Sequence, residues 1–270
     1  SKRLHTQIAA DPFIAGSPEM ARYFLTPQGQ ALPVGTLLKN PELAHTLQTI
    51  AERGADGFYQ GPVARAMVDK VRSHPRAGTL SLADINGYQA RERTPVCGDY
   101  KQWQICGMPP PSSGGVAVIQ TLGILEALQQ QSPAFDLAIM PPVPSSTGAG
   151  LEPSSAAVHL IAEAERLVYA DRAQYLADSD YVPVNVKGLT DHGYFKTRAA
   201  LMGDRSMGRA EAGVPAGIHL ALAPDRSPLR ISTSQIAAVD DQGGAISMTT
   251  SVEAAFGSHV MTNGFLLNNQ

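Results

Sequence analysis

Thr233-Ser-Gln-Ile-Ala-Ala-Val-Asp240, followed by Ser247-Met-Thr-Thr-Ser251, reads as two short runs of alternating or apolar character, the first opened by a threonine and the second ending in small hydroxyl residues. A strand starting on a threonine and followed by such a second run predicts a hairpin. Its open end brings Thr233 back beside the hydroxyl-rich stretch that ends at Ser251. A threonine opening a strand is ordinarily only a good β-former. If the chain were cut just before it, the new α-amino group would have a pKa of about 7.7–8.0. Such an amine can take the proton from the threonine's own hydroxyl and so make it a nucleophile.

Five further segments occur in order upstream: Asn40-Pro-Glu-Leu-Ala-His-Thr-Leu47, Gly54-Ala-Asp-Gly-Phe-Tyr-Gln-Gly61, Pro109-Pro-Pro-Ser-Ser-Gly-Gly115, Glu163-Ala-Glu-Arg-Leu-Val-Tyr-Ala-Asp-Arg172 and Tyr175-Leu-Ala-Asp-Ser-Asp180. With the stretch from Thr233 and the closing Leu266-Leu-Asn-Asn-Gln270, they resemble the γ-glutamyltransferases, self-processing members of the N-terminal-nucleophile hydrolases. The resemblance runs over nearly the whole chain. It implies an α+β fold, the superfamily's four-layer αββα sandwich, with most helices contributed by residues 1–202. It also implies that residues 1–232 close a large subunit and 233–270 open a small catalytic one, the two forming a heterodimer after cleavage between Ser232 and Thr233.

The same resemblance assigns roles. Thr233 is the nucleophile, with Ser232 and Ser234 as rival registers, and Ser251 stands where a family threonine orients the nucleophile. Glu253 stands where several relatives have an asparagine that contacts the donor's α-carboxylate or amino group. Gln270 matches a substrate-binding glutamine. One departure is Gln235, where many relatives carry histidine. The implied reaction moves a γ-glutamyl group from a small glutathione-like donor to water or an amino acid, without metal or organic cofactor. A cephalosporin (glutaryl) acylase on the same scaffold is the alternative, and a non-catalytic binding fragment is another. Both ends look cut, so the 270 residues are expected to be part of a longer protein and inactive by themselves. A periplasmic or secreted location follows from the family, although the first residues, Ser1-Lys-Arg-Leu-His, contain no apolar signal region.

Composition agrees with a globular protein. Apolar residues make up 43% and charged residues 17%, enough for a core, and the net charge of −3 gives no reason to expect nucleic acid. No run approaches the roughly 20 apolar residues of a membrane span. There is no Gly-x-Ser-x-Gly, phosphate loop or calcium loop. Cys97 and Cys106 flank a second expected hairpin, turning between Lys101 and Gln102, which sets them opposite each other. A disulfide and a pair of buried free thiols are both compatible with that spacing.

Helices are expected at Pro41–Arg53, at Pro62–His74, after a Ser81/Asp84 capping box, at Val116–Gln129 with serine caps, and at Ala156–Leu176. Residues 132–155 and 203–232 read as irregular. On the longest helix His159 and Glu163 are four apart, which predicts an intrahelical polar pair rather than a metal site. Glu163, Arg166, Asp171 and Arg172 predict a charged helix surface with salt bridges.

Overall fold

A computed structural model describes residues 1–135, 140–145, 150–217, 223 and 233–269. Along the chain come α1 (Lys2–Ala10), α2 (Pro18–Phe24), α3 (Pro41–Arg53), α4 (Asp56–Tyr59), α5 (Gly61–Ser73) and α6 (Leu82–Gly87). The hairpin β1 (Val96–Tyr100) and β2 (Trp103–Gly107) follows, then α7 (Gly114–Gln131), and the short ladder β3 (Val143–Pro144) with β4 (Leu151–Glu152). Next are α8 (Ser155–Tyr175), α9 (Val186–Leu189) and α10 (His192–Ala199). Two hairpins close the chain: β5 (Ser234–Val239) with β6 (Ala245–Thr250), and β7 (Met261–Thr262) with β8 (Phe265–Leu266). Among the described residues every sheet is a two-stranded antiparallel ladder.

The chain divides into two compact units, one of Ser1–Ala90 with Pro228–Gln270 and one of Arg91–Ser227. In the first, α3 has the expected limits: the Asn40 side chain accepts from Leu43 N at 2.9 Å, Pro41 opens the first turn, and Gly54 ends the helix at φ 60°. Ser81 and Asp84 form the reciprocal capping box. The residues after Thr233 are built into this unit. Phe256 and Met261 share a core with Ile8, Ile14, Met20 and Phe24, and Phe265 and Leu267 pack on Val63, Met67 and Ile85. Polar bonds fix the same junction. Asn40 Nδ2 donates to Gly264 O (2.7 Å), Thr46 Oγ1 donates to Asn263 O (2.9 Å), and His259 Nε2 lies 2.8 Å from Asp11 Oδ2. Gly264, at φ 80°, lies so close to α3 that a Cβ would come within 2.2 Å of Leu43 N.

In the second unit α7, α8 and α10 surround Ile124, Leu160, Leu167, Val168 and Phe195. The β1–β2 hairpin has the expected register, Cys97 opposite Cys106 and Tyr100 opposite Trp103, with Lys101 at φ 53° in the turn. The two cysteines form a disulfide with Cα atoms 4.1 Å apart, and both are exposed, so the free-thiol reading falls. Closing a loop of this size stabilises by about 2–3 kcal/mol. Two expectations need correction. Helix α7 begins at Gly114, and Ser113, at its N-cap position, makes no side-chain cap bond; its Oγ instead accepts from Arg172 Nε at 3.1 Å. Within 132–155 there is local order, a 3-10 turn at Pro133–Phe135 and the β3–β4 ladder.

Helix α8 differs most from expectation. Glu163 is 2% exposed and Asp171 0%, so this face is a buried polar rail and not a charged surface. His159 and Glu163 do not bond each other; each bonds the stretch that follows residue 202. His159 Nε2 lies 2.8 Å from Gly203 O, while Glu163 accepts from Ser206 Oγ (2.9 Å), Met207 N (2.7 Å) and Arg166 Nε (3.1 Å). Further along, Arg166 Nη1 donates to Gly208 O, Asp171 accepts from Gly213 N, and Tyr175 OH donates to Gly213 O. The irregular stretch 203–213 obtains from these side chains the partners its backbone cannot find in a ladder. Burial pushes the Glu163 carboxyl up, but the bonds from Met207, Ser206 and Arg166 together hold it below the ordinary value of 4.5. A depressed carboxylate contributes stability that is present above its unfolded pKa and lost as pH falls through the folded value. Glu163→Gln is therefore expected to flatten the loss of stability below pH about 4.5 in urea titrations. An unchanged acid limb would mean that Glu163 ionisation does not hold this segment.

Candidate active site

The β5–β6 hairpin is set by its turn. Asp240 N donates to Gly244 O (2.9 Å), the Asp240 carboxylate accepts from Gln242 N (3.0 Å) and Gly244 N (2.7 Å), and Gly243 takes φ 86°. Side-chain capping of its own turn is what aspartate does well. Counting outward from Val239↔Ala245, the ladder ends at Ser234↔Thr250. One step beyond, the Thr233 hydroxyl donates to Ser251 Oγ at 3.2 Å. Strand alternation puts Thr233, Gln235, Ser247, Thr249 and Ser251 on one face and Ile236, Ile246 and Met248 on the other. Ser234 pairs with Thr250 and so lies on the face opposite Ser251.

Ser251 Oγ also accepts from Glu253 N at 2.9 Å, so Thr233 and the Glu253 backbone converge on one oxygen. Glu253 itself sits at φ 68°, a left-handed conformation that side chains other than glycine rarely adopt. The bend it makes carries Ala254 to Asn269, whose Oδ1 accepts from Ala254 N at 3.0 Å. The segment leading to Gln270 thus lies beside the one carrying Glu253. Gln270 and Ser232 are outside the described residues. The structure therefore brings together Thr233, Ser251 and the start of the Glu253 segment, and it places Asn269 against Ala254, the residue after Glu253. The disulfide partners Cys97 and Cys106 belong to the other unit.

Sequence reasoning missed the pairing of Gln235 across the hairpin. Its Nε2 donates to Ser247 Oγ (2.7 Å) and its Oε1 accepts from Thr249 Oγ1 (2.5 Å). Same-face alternation of polar residues was the signal available for it. A cavity of about 740 Å³ in the first unit is lined by Tyr59, Met67, Leu80, Tyr88, Leu267 and Asn269 among others. Thr233 and Ser251 do not line it. The hydroxyl pair is on the exposed hairpin, and Asn269, which lines the cavity, also accepts from Ala254 N. Among the described residues no cluster of His, Cys, Asp or Glu is arranged to hold a metal ion, and no helix is long and apolar enough to cross a membrane.

The family model for gamma-glutamyltranspeptidase matches residues 1–270. The glutathione hydrolase proenzyme of Escherichia coli K12 is 34% identical over 245 residues, 90% of this chain and 38% of that protein. The acylase ACY 1 proenzyme of Pseudomonas sp. strain V22 is 33% identical over 266 residues, 98% of this chain and 42% of the relative. Among solved structures, the gamma-glutamyltranspeptidase of Helicobacter pylori is similar with a TM-score of 0.65 and 30% identity, over 81% of this chain and 58% of that one. The chain spans about two fifths of the length of these curated relatives.

Proposed function

This chain belongs to the gamma-glutamyltranspeptidase family, and on that premise we propose that the protein containing it is a self-processing γ-glutamyltransferase and glutathione hydrolase. The observation that carries the reading is the Thr233–Ser251 hydroxyl bond at the open end of β5–β6. Cleavage between Ser232 and Thr233 frees the Thr233 amine. That amine takes the hydroxyl proton while Oγ attacks the donor's γ-carbonyl carbon. The resulting oxyanion collapses, the C–N bond breaks, and the leaving amine departs with the proton. An ester between Thr233 Oγ and the γ-glutamyl group remains. Water, or the amine of an acceptor amino acid, then attacks the ester and restores the Thr233 hydroxyl. Ser251, accepting from Thr233, fixes the direction of that hydroxyl before attack.

In this reading residues 1–232 end the larger subunit and 233–270 begin the smaller. After cleavage the two hold together without a covalent link. Asn40–Gly264, Thr46–Asn263, Asp11–His259 and the shared apolar core support that. The exposed apolar face of β5–β6, with Ile236, Ile246 and Met248 each between 44% and 59% exposed, suits one layer of the superfamily's αββα sandwich. The exposed Cys97–Cys106 disulfide supports a periplasmic or secreted location, where such bonds persist.

Glutaryl acylase activity is the second reading, favoured by the near-equal identity to the acylase ACY 1 proenzyme. Glu253 separates the two. A γ-glutamyl donor carries an α-ammonium that a carboxylate can pair, and a glutaryl donor carries none. A charge-assisted contact of about 1.5–3 kcal/mol corresponds to roughly 10- to 150-fold in specificity. Assayed on γ-glutamyl and glutaryl anilides, Glu253→Gln is expected to lose at least about tenfold more kcat/KM on the former. Equal losses on both would remove Glu253 from donor selection.

A further inference from the structure

Thr233 lies one step beyond the last ladder pair, at the open end of a hairpin whose strands are exposed on both faces. Strand ends of that kind fray, and a cut before Thr233 turns it into a chain terminus, where order is weakest. The hydroxyls of β6 and of the residue after it do not by themselves define where Thr233 belongs, because Ser247, Thr249 and Ser251 repeat at every second residue of one face. A pairing shifted by two residues would still offer Thr233 a hydroxyl.

Gln235 removes that ambiguity. It is two residues in from Thr233 on the same face, and the two ends of its amide engage different residues of β6 with opposite polarity. Nε2 donates to Ser247 Oγ at 2.7 Å, and Oε1 accepts from Thr249 Oγ1 at 2.5 Å. The amide thus spans two successive same-face positions, leaving Ser251 next in the row for Thr233.

We propose that Gln235 is a positioning residue, a cross-strand strap that holds the new amino-terminal strand in register so that Thr233 stays on Ser251 once the chain is cut. The proposal rests on Thr233 being the nucleophile. It assigns Gln235 no contact with substrate. The strap acts on the population of the aligned terminus, so its loss falls on kcat and not on KM.

The test uses the full-length, processed protein. Gln235→Met keeps the length of the side chain and removes both bonds. Its kcat on a γ-glutamyl anilide should fall about tenfold, the worth of one to two ordinary hydrogen bonds, with KM changed less than about twofold. Hydrogen exchange at the backbone amides of residues 234–236 should accelerate by a similar factor. Thr249→Val should produce a smaller fall, and adding it to Gln235→Met should produce no further loss. Gln235→Glu, whose carboxylate can accept from both hydroxyls, should keep exchange within about twofold of the parent. Unchanged kcat and exchange in Gln235→Met would overturn the strap, as would a raised KM with intact kcat. Should Thr233→Ala stay active, the nucleophile assignment falls, and the exchange measurement still decides whether Gln235 holds the strand end.

Discussion

Thr233→Ala in the full-length protein is expected to leave one uncut chain with no measurable γ-glutamyl hydrolysis. Both losses follow from one atom. In the proposed reaction the Thr233 hydroxyl attacks the preceding carbonyl during processing and the donor carbonyl during turnover, and without processing its amine never becomes a base. Removal of a nucleophile in comparable acyl-transfer machinery lowers kcat by about 10⁶-fold. The strand geometry narrows the alternatives. Ser234 pairs with Thr250 and faces away from Ser251, so it cannot inherit the hydroxyl bond without a register slip. Thr233→Ser, which keeps the oxygen, should still process, more slowly. Normal processing of Thr233→Ala, read by intact mass, would move the cleavage elsewhere.

The second large effect is on stability and lies in the other unit. Arg198, 3% exposed, places Nη2 3.1 Å from Asp171 Oδ1 and also donates to Leu167 O (3.0 Å) and Glu211 O (2.9 Å). Asp171 is fully buried and takes further bonds from Gly213 N (2.8 Å) and Gln120 Nε2 (3.3 Å). Two influences oppose each other on its carboxyl. Burial pushes it above the ordinary range, and the Gly213 bond and the Arg198 cation pull it down; burial wins. Arg198→Met leaves that carboxylate without its cation and strands two carbonyls. The expected loss is about 3–5 kcal/mol, or on the order of 10 °C in melting temperature. Asp171→Asn in the same chain should recover part of it, whereas Arg205→Met, at an exposed site, should change little. A loss under about 1 kcal/mol for Arg198→Met would show that the unit relaxes around the missing charge.

What the sequence made legible was local. Pro41 and Gly54 delimited α3, and the turn between Lys101 and Gln102 set Cys97 against Cys106, because neighbours in sequence decide those features. The face expected from Leu43, Leu47 and Ile50 is not the buried one, since Leu47 is exposed and Thr46 is the buried residue of α3. Thr233 and Ser251 were legible through the family resemblance, and the turn at Asp240–Gly244 explains why they meet. The face of α8 was not legible. Glu163, Asp171 and His159 have the composition of a solvent-facing helix, and the groups that bury them come from residues 203–213 and from Arg198, too distant and too irregular for any periodicity to announce. Gln235 was noticed only as a departure. Its two partners emerge once the strand register is known, since a one-residue shift would have sent its amide to the opposite face.

The central claim is that the chain is cut immediately before Thr233. Intact-mass analysis of freshly purified full-length protein, with amino-terminal sequencing of the smaller species, tests it directly. The account requires two chains, the second beginning Thr-Ser-Gln-Ile. A single uncut chain in folded material, or a second chain beginning at Ser232 or Ser234, would contradict it.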